Sequence, residues 1–133
     1  MKYSLDTNTC IRYINGRAPK LREKIPTVPA RDIVVCSVVR SELAYGAAKS
    51  QTPERSAEKQ QQFLEPYATL PFDNVAAGIF GQLRAYLEKQ GTPIGPYDMQ
   101  IAAIALAHDL ILVTYNLNEF SRVPDLKIED WEV

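Results

Sequence analysis

The chain has 133 residues, 46% hydrophobic and 23% charged, with a formal net charge of −1. That composition excludes a disordered, collagen-like or coiled-coil chain, and no apolar run reaches the roughly 18 residues that cross a bilayer. The length fits one domain over residues 1–133, soluble, away from membranes and, with no apolar leader in its first residues, expected to be cytoplasmic.

KYSLD at 2–6 reads as a short strand that stops at Asp6. TNTCIRYINGR then reads as a helix, with Thr7 able to cap, Ile11 and Ile14 on one face, and Asn15-Gly16 as the stop. RDIVVCS at 31–37 is a β-branched run suited to a strand covered on both faces. Ser37 opens a helix with Val39, Leu43, Ala44 and Ala47 on its apolar side. Thr52 and Pro53 begin a polar surface helix that runs to Tyr67, and ATLPF at 68–72 is a further short strand. Residues 74–90 place Val75, Ile79, Leu83 and Leu87 four apart, a helical stripe. After the Gly-Pro breaks of 91–98, DMQIAAIALAHD is apolar nearly all round, as a central buried helix would be. LILVT at 110–114 is another covered strand, and LKIEDW ends the chain as an edge strand. The order predicts an α/β fold: a mainly parallel central sheet of about five strands with helices on both faces.

Cys10 and Cys36 have no metal-ligand spacing and have apolar neighbours, which predicts small buried hydrophobes. The single histidine, His108, ends a helical pattern, where an imidazole suits the helix dipole. The charge is unevenly spread. Residues 1–50 hold nine Lys/Arg against four Asp/Glu, whereas residues 98–133 hold two against seven. A basic front and an acidic back suit a polyanion approaching one edge while carboxylates gather at another.

Ligands of parallel sheets bind beyond the carboxyl ends of the strands. Asp6 ends the first strand, and Asn116 and Glu119 follow the strand 110–114. Asp98 opens the most apolar helix. Glu42 lies inside a helix, on the face shared with Val39 and Gly46. Asp6 and Asp98 taken singly read equally well as helix caps. Together with Glu42 they form an oxygen-only set, which suits a hard cation, Mg²⁺ or Mn²⁺, and metal-dependent phosphoryl chemistry.

SLDTNTCIRYINGR, SVVRSELAYGAAKS and GTPIGPYDMQIAAIALAHDLILVTYNLNEFSRVPDLKIEDW resemble, in order and spacing, the sequence blocks of PIN-domain ribonucleases, specifically the VapC toxins. The resemblance implies a PIN-like three-layer α/β/α sandwich and a Mg²⁺-dependent endoribonuclease that blocks translation by cutting tRNA or ribosomal RNA. It also implies a homodimer silenced by a cognate VapB-type antitoxin, the complex binding promoter DNA through the antitoxin. By position, Asp6, Glu42 and Asp98 match the family's metal-holding acids. Asn116 stands where many PIN domains have Asp, which leaves it as a positioning residue and Glu119 as an auxiliary acid. Asn8 and Ser37 are expected to orient the acids by hydrogen bonds or to cap helices.

Arg12 and Arg17 follow the Asp6 strand and are expected to grip the RNA backbone, with Lys20, Arg22 and Lys24 as further candidates. Tyr97, beside Asp98, is a candidate to stack on an unpaired base. Two other readings were set against this one. A phosphoacceptor receiver domain would need an Asp after a mid-chain strand, and none lies between Asp32 and Asp73. A catalytically inactive RNA-binding module, or another metal-dependent nuclease, would share the fold but not the full set of roles.

Overall fold

A computed structural model describes all residues, 1–133. Four short strands form the sheet: β1 (Tyr3–Leu5), β2 (Ile33–Val34), β3 (Ile111–Val113) and β4 (Lys127–Glu129). Their order is β2-β1-β3-β4, and every pairing is parallel. Tyr3 pairs with Ile33 on one side and Ile111 on the other, and Leu5 pairs with Val113. Seven helices flank the sheet: α1 (Thr7–Ile14), α2 (Pro19–Lys24), α3 (Ser37–Ala48), α4 (Pro53–Leu64), α5 (Asn74–Gln90), α6 (Pro96–Ala107) and α7 (Leu117–Phe120).

The sheet has four strands and not the expected five. Residues 68–72 contribute a single parallel bridge, Ala68 to Val34. Val35 N donates to Ala68 O and Ser37 N to Leu70 O, so this segment does lie along the β2 edge. The ladder stops there because the chain after β2 turns into α3 at Ser37 and offers no further strand residues to pair with. The strand expected over 31–37 is shortened in the same way. A 3₁₀ turn occupies Ala30–Asp32, and Cys36 already serves as the residue preceding α3.

The elements rest on local rules that the amino acids make plain. Asp73 caps α5 by accepting from Ala76 N at 3.0 Å, and Gly91, at φ 71°, closes it in the left-handed region open to glycine. In α5 the stripe begins with Ala76. Leu83 and Leu87 follow it into the core, while Val75 stays 63% exposed. α6 is the central helix: Ile101 through Ala105 are fully buried, because both of its sides are covered. Leu5, Leu43, Leu87, Ile104, Leu112 and Phe120 belong to one continuous core. Cys10 and Cys36 are free thiols inside it, and burial pushes both upward in pKa. His108 sits at the C-terminal end of α6, exposed. No helix is long and apolar enough to cross a membrane.

Candidate metal centre

The sheet order reverses between β1 and β3, since β2 is added beside β1 and β4 beside β3. Crevices in parallel sheets open at such a point, beyond the carboxyl ends of the strands. Asp6 N donates to Val113 O at 3.1 Å, which ties the two strand ends together there.

Asp6 is a helix cap, as its position after the first strand allowed. Its side chain accepts from Thr9 N at 2.8 Å and so caps α1, and it is only 3% exposed at the floor of the crevice. Burial raises its carboxyl above the ordinary carboxylate range, Thr114 and Thr9 partly offset that rise, and the charge of Glu132 adds to it. Glu42 reaches the crevice from α3, half-buried, and accepts a hydrogen bond from Thr7 Oγ1 at 2.5 Å. Asp98 is the third residue of α6, whose capping position is Gly95, and no side chain caps that helix. Its carboxylate therefore remains free for the crevice. Burial, then Glu119, Asp6 and Glu42 in that order, push it up to about 6.

That ranking defines the site. Acids from the end of β1, from α3 and from α7 all act through space on Asp98 in α6, although 113 positions separate Asp6 from Glu119 in sequence. Asn116 Nδ2 donates to Glu119 Oε2 at 2.7 Å, and Asn116 N donates to Thr114 Oγ1 at 2.9 Å. Asn116 thus fixes a neighbouring carboxylate. Neither Asn8 nor Ser37 makes a side-chain hydrogen bond, contrary to expectation: Asn8 is exposed, and Ser37 is the first helical residue of α3 and not its cap. Thr7, Thr9 and Thr114 do the orienting instead. Their signal in the sequence is their place in DTNT and VTYN, at the two strand ends that meet.

The basic residues are placed less simply. Arg12 is bound to Glu132, with Nε at 2.8 Å and Nη2 at 2.7 Å from Oε1, and lies 5.0 Å from the centroid of the Tyr115 ring. Arg17 is exposed beyond the far end of α1 from Asp6, and Lys20 is also exposed. Arg22 packs over Tyr13 and Lys24 over Trp131. Tyr97 is 58% exposed beside Asp98. A cleft of about 260 Å³ opens beside Glu42, lined by Ile11, Ile14, Leu43, Gly46 and Lys59. The largest groove, about 660 Å³ between α3 and α4, contains none of the four crevice acids.

All four acids offer hard oxygen donors, with no His or Cys thiolate in reach of a softer ion. No three His, Cys, Asp or Glu side chains converge closely enough to enclose a metal by themselves. Oxygen donors of this kind suit a hard divalent cation that keeps part of its water shell.

The PIN domain family model matches residues 3–126. The tRNA(fMet)-specific endonuclease VapC of Salmonella typhimurium is 43% identical over 131 residues, 98% of either chain. The chain belongs to the VapC family of PIN-domain proteins. Two solved structures of VapC-family complexes share its fold over nearly the whole length. DNA-bound VapBC from Salmonella typhimurium gives a TM-score of 0.93 at 43% identity, covering 98% of each chain. VapBC2 from Rickettsia felis, bound to a DNA fragment from its promoter, gives 0.92 at 35% identity, covering 98% of this chain and 99% of that one.

Proposed function

We propose that this VapC-family chain is the toxin of a type II toxin–antitoxin pair, an endoribonuclease that inhibits translation by hydrolysing a phosphodiester bond in tRNA or ribosomal RNA. One observation carries the reading. Asp6 at the end of β1, Glu42 of α3, Asp98 of α6 and Glu119 of α7 gather at one end of the sheet, and their charges together with burial push the Asp98 carboxyl up to about 6, a repulsion that a divalent cation relieves. The Salmonella relative, named for tRNA(fMet), supports initiator tRNA as the first substrate to test.

Asp6, Glu42 and Asp98 would hold Mg²⁺ or Mn²⁺, which when bound supplies Lewis acidity to the phosphoryl group and lowers the pKa of water. Asp6 is held by the α1 cap and by burial, so its carboxylate is oriented before any ligand arrives. Thr7 holds Glu42 in one rotamer across the gap between α1 and α3. Glu119, which accepts from Asn116, is the remaining acid and would take a proton from water in the crevice. The burial of Asp6 and Asp98 keeps bulk water from screening these charges, which strengthens each of them. Arg12 and Arg17 supply cationic contacts to the RNA backbone.

The chain acts as a single domain over residues 1–133, in the cytoplasm, as a homodimer. A VapB-type antitoxin silences it, and the hetero-oligomer binds promoter DNA through the antitoxin. Solved VapBC complexes on DNA support this assembly. The cleft beside Glu42 offers Ile11, Ile14 and Leu43 to the stem of an inserted partner side chain and the Glu42 carboxylate to a cationic head, with Lys59 on its rim.

The test is cleavage of an initiator tRNA transcript by the purified chain freed of its partner. Cleavage is expected with Mg²⁺ or Mn²⁺, weakly with Ca²⁺, and not at all in EDTA. Asp6→Asn, which keeps the cap, and Asp98→Ala are expected to abolish it while circular dichroism stays native. Wild-type rates in EDTA, or in both variants, would remove the reading.

A further inference from the structure

The Arg12–Glu132 pair joins residues 120 positions apart, and one face of the guanidinium lies over an aromatic ring. Glu132 takes the Nε–Nη2 edge of Arg12, at 2.8 and 3.0 Å from Nε and 2.7 Å from Nη2. The outer Nη1–Nη2 edge has no partner, and a second such fork matches the geometry of two phosphate oxygens. Arg12 stands in the last turn of α1, the helix that Asp6 caps. Tyr115 directly precedes Asn116, whose side chain binds Glu119. The Arg12 side chain is 34% exposed and Glu132 14%, so the anchor is largely covered while the cation stays reachable.

We propose that Glu132 and Tyr115 are positioning residues that hold the Arg12 guanidinium as a preset phosphate fork at the rim of the acidic crevice. The ligand is an RNA phosphate beside the cut bond, so the inference rests on the ribonuclease reading above. Its logic is entropic. A free arginine must lose rotamer freedom on meeting a phosphate, whereas this one has already lost it.

The experiment is steady-state cleavage of the initiator tRNA transcript with Mg²⁺ at several salt concentrations. It compares the wild-type chain, Arg12→Ala, Glu132→Ala, the double variant and Tyr115→Leu. Removing an acid near a polyanion site should, by charge alone, lower KM. The proposal predicts the reverse. Glu132→Ala should raise KM roughly three- to fivefold, the range of a partly exposed ion pair, with kcat within about twofold. Arg12→Ala should raise KM as well and flatten its salt dependence by about 0.7–0.9 in logarithmic slope, one phosphate contact. Glu132→Ala should then add nothing in the Arg12→Ala background. Tyr115→Leu, at an exposed ring, gives an independent reading if Glu132→Ala loosens the C-terminus, and it too should raise KM with kcat kept. An unchanged or lowered KM in Glu132→Ala, or full additivity in the double variant, overturns the proposal and leaves the ribonuclease reading intact. Failure of the wild-type chain to cleave RNA overturns both.

Discussion

Thr7 Oγ1 lies 2.5 Å from Glu42 Oε1, a hydrogen bond that fastens the first turn of α1 to the middle of α3 across 35 positions of sequence. Glu42 has no other hydrogen-bond donor, so its rotamer depends on this hydroxyl. Thr7→Ala is expected to lower kcat about tenfold, the usual effect of losing a group that orients a metal ligand. Thr7→Ser should retain most of the activity. Equal rates for Thr7→Ala and the wild type would show that Glu42 needs no orientation.

Asp98 makes stability depend on pH. Its carboxyl titrates at about 6 in the folded chain, against about 3.9 when unfolded. Ionisation therefore costs stability: nothing is lost below about pH 4, and the loss is complete once pH has risen through the folded value. Discounted for the partial exposure of this side chain, the cost is on the order of 1 kcal/mol, a few degrees in Tm. In EDTA at pH 7.5, Asp98→Asn should melt above the wild type, and the gap should close towards pH 4. Added Mg²⁺ should shrink or reverse it, because the wild type gains more from binding. A gap that persists unchanged at pH 4 would mean that charge repulsion is not its source.

Ser4 offers a control outside the crevice. Its hydroxyl is fully buried in β1 with no hydrogen-bond partner in the protein. Ser4→Ala removes that uncompensated group without leaving a sizeable cavity, so it should be neutral or stabilising by about 1 kcal/mol. Chemical denaturation checks this, and a clear loss of stability would mean that the hydroxyl is satisfied.

An inhibiting partner should work by charge. Four acids around one crevice are relieved by a fixed arginine or lysine much as by a metal ion. Replacing every basic residue in the antitoxin segment that enters the cleft beside Glu42 should restore cleavage. Inhibition that survives those replacements would have to be steric.

Those features of the fold that repeat along the chain could be read from sequence. The all-round apolar pattern of 98–109 announced a central helix, and strand ends at Asp6 and Thr114 announced the crevice. The expected fifth strand is absent because an apolar composition cannot show that the chain after β2 turns into α3 at Ser37, leaving residues 68–72 a single bridge. α2 and α7, of six and four residues, are too short for periodicity to register. The acids were visible because carboxylates in apolar settings stand out, as Glu42 does among Val39, Leu43 and Gly46. Their supporting shell was not. Thr7–Glu42 and Arg12–Glu132 join residues 35 and 120 positions apart, and such pairs leave no local pattern. Glu132 was counted only within the acidic surplus of the C-terminal third, although it is the residue that determines where Arg12 points.

Whether Asp6, Glu42 and Asp98 form one metal site is most directly measured by Mn²⁺ binding, read from the loss of the free-ion electron paramagnetic resonance signal. The wild-type chain should bind Mn²⁺, and Asp6→Asn, Glu42→Gln and Asp98→Asn should each weaken binding by about tenfold or more while remaining folded. Unchanged affinity in all three variants would contradict the shared site and the chemistry built on it.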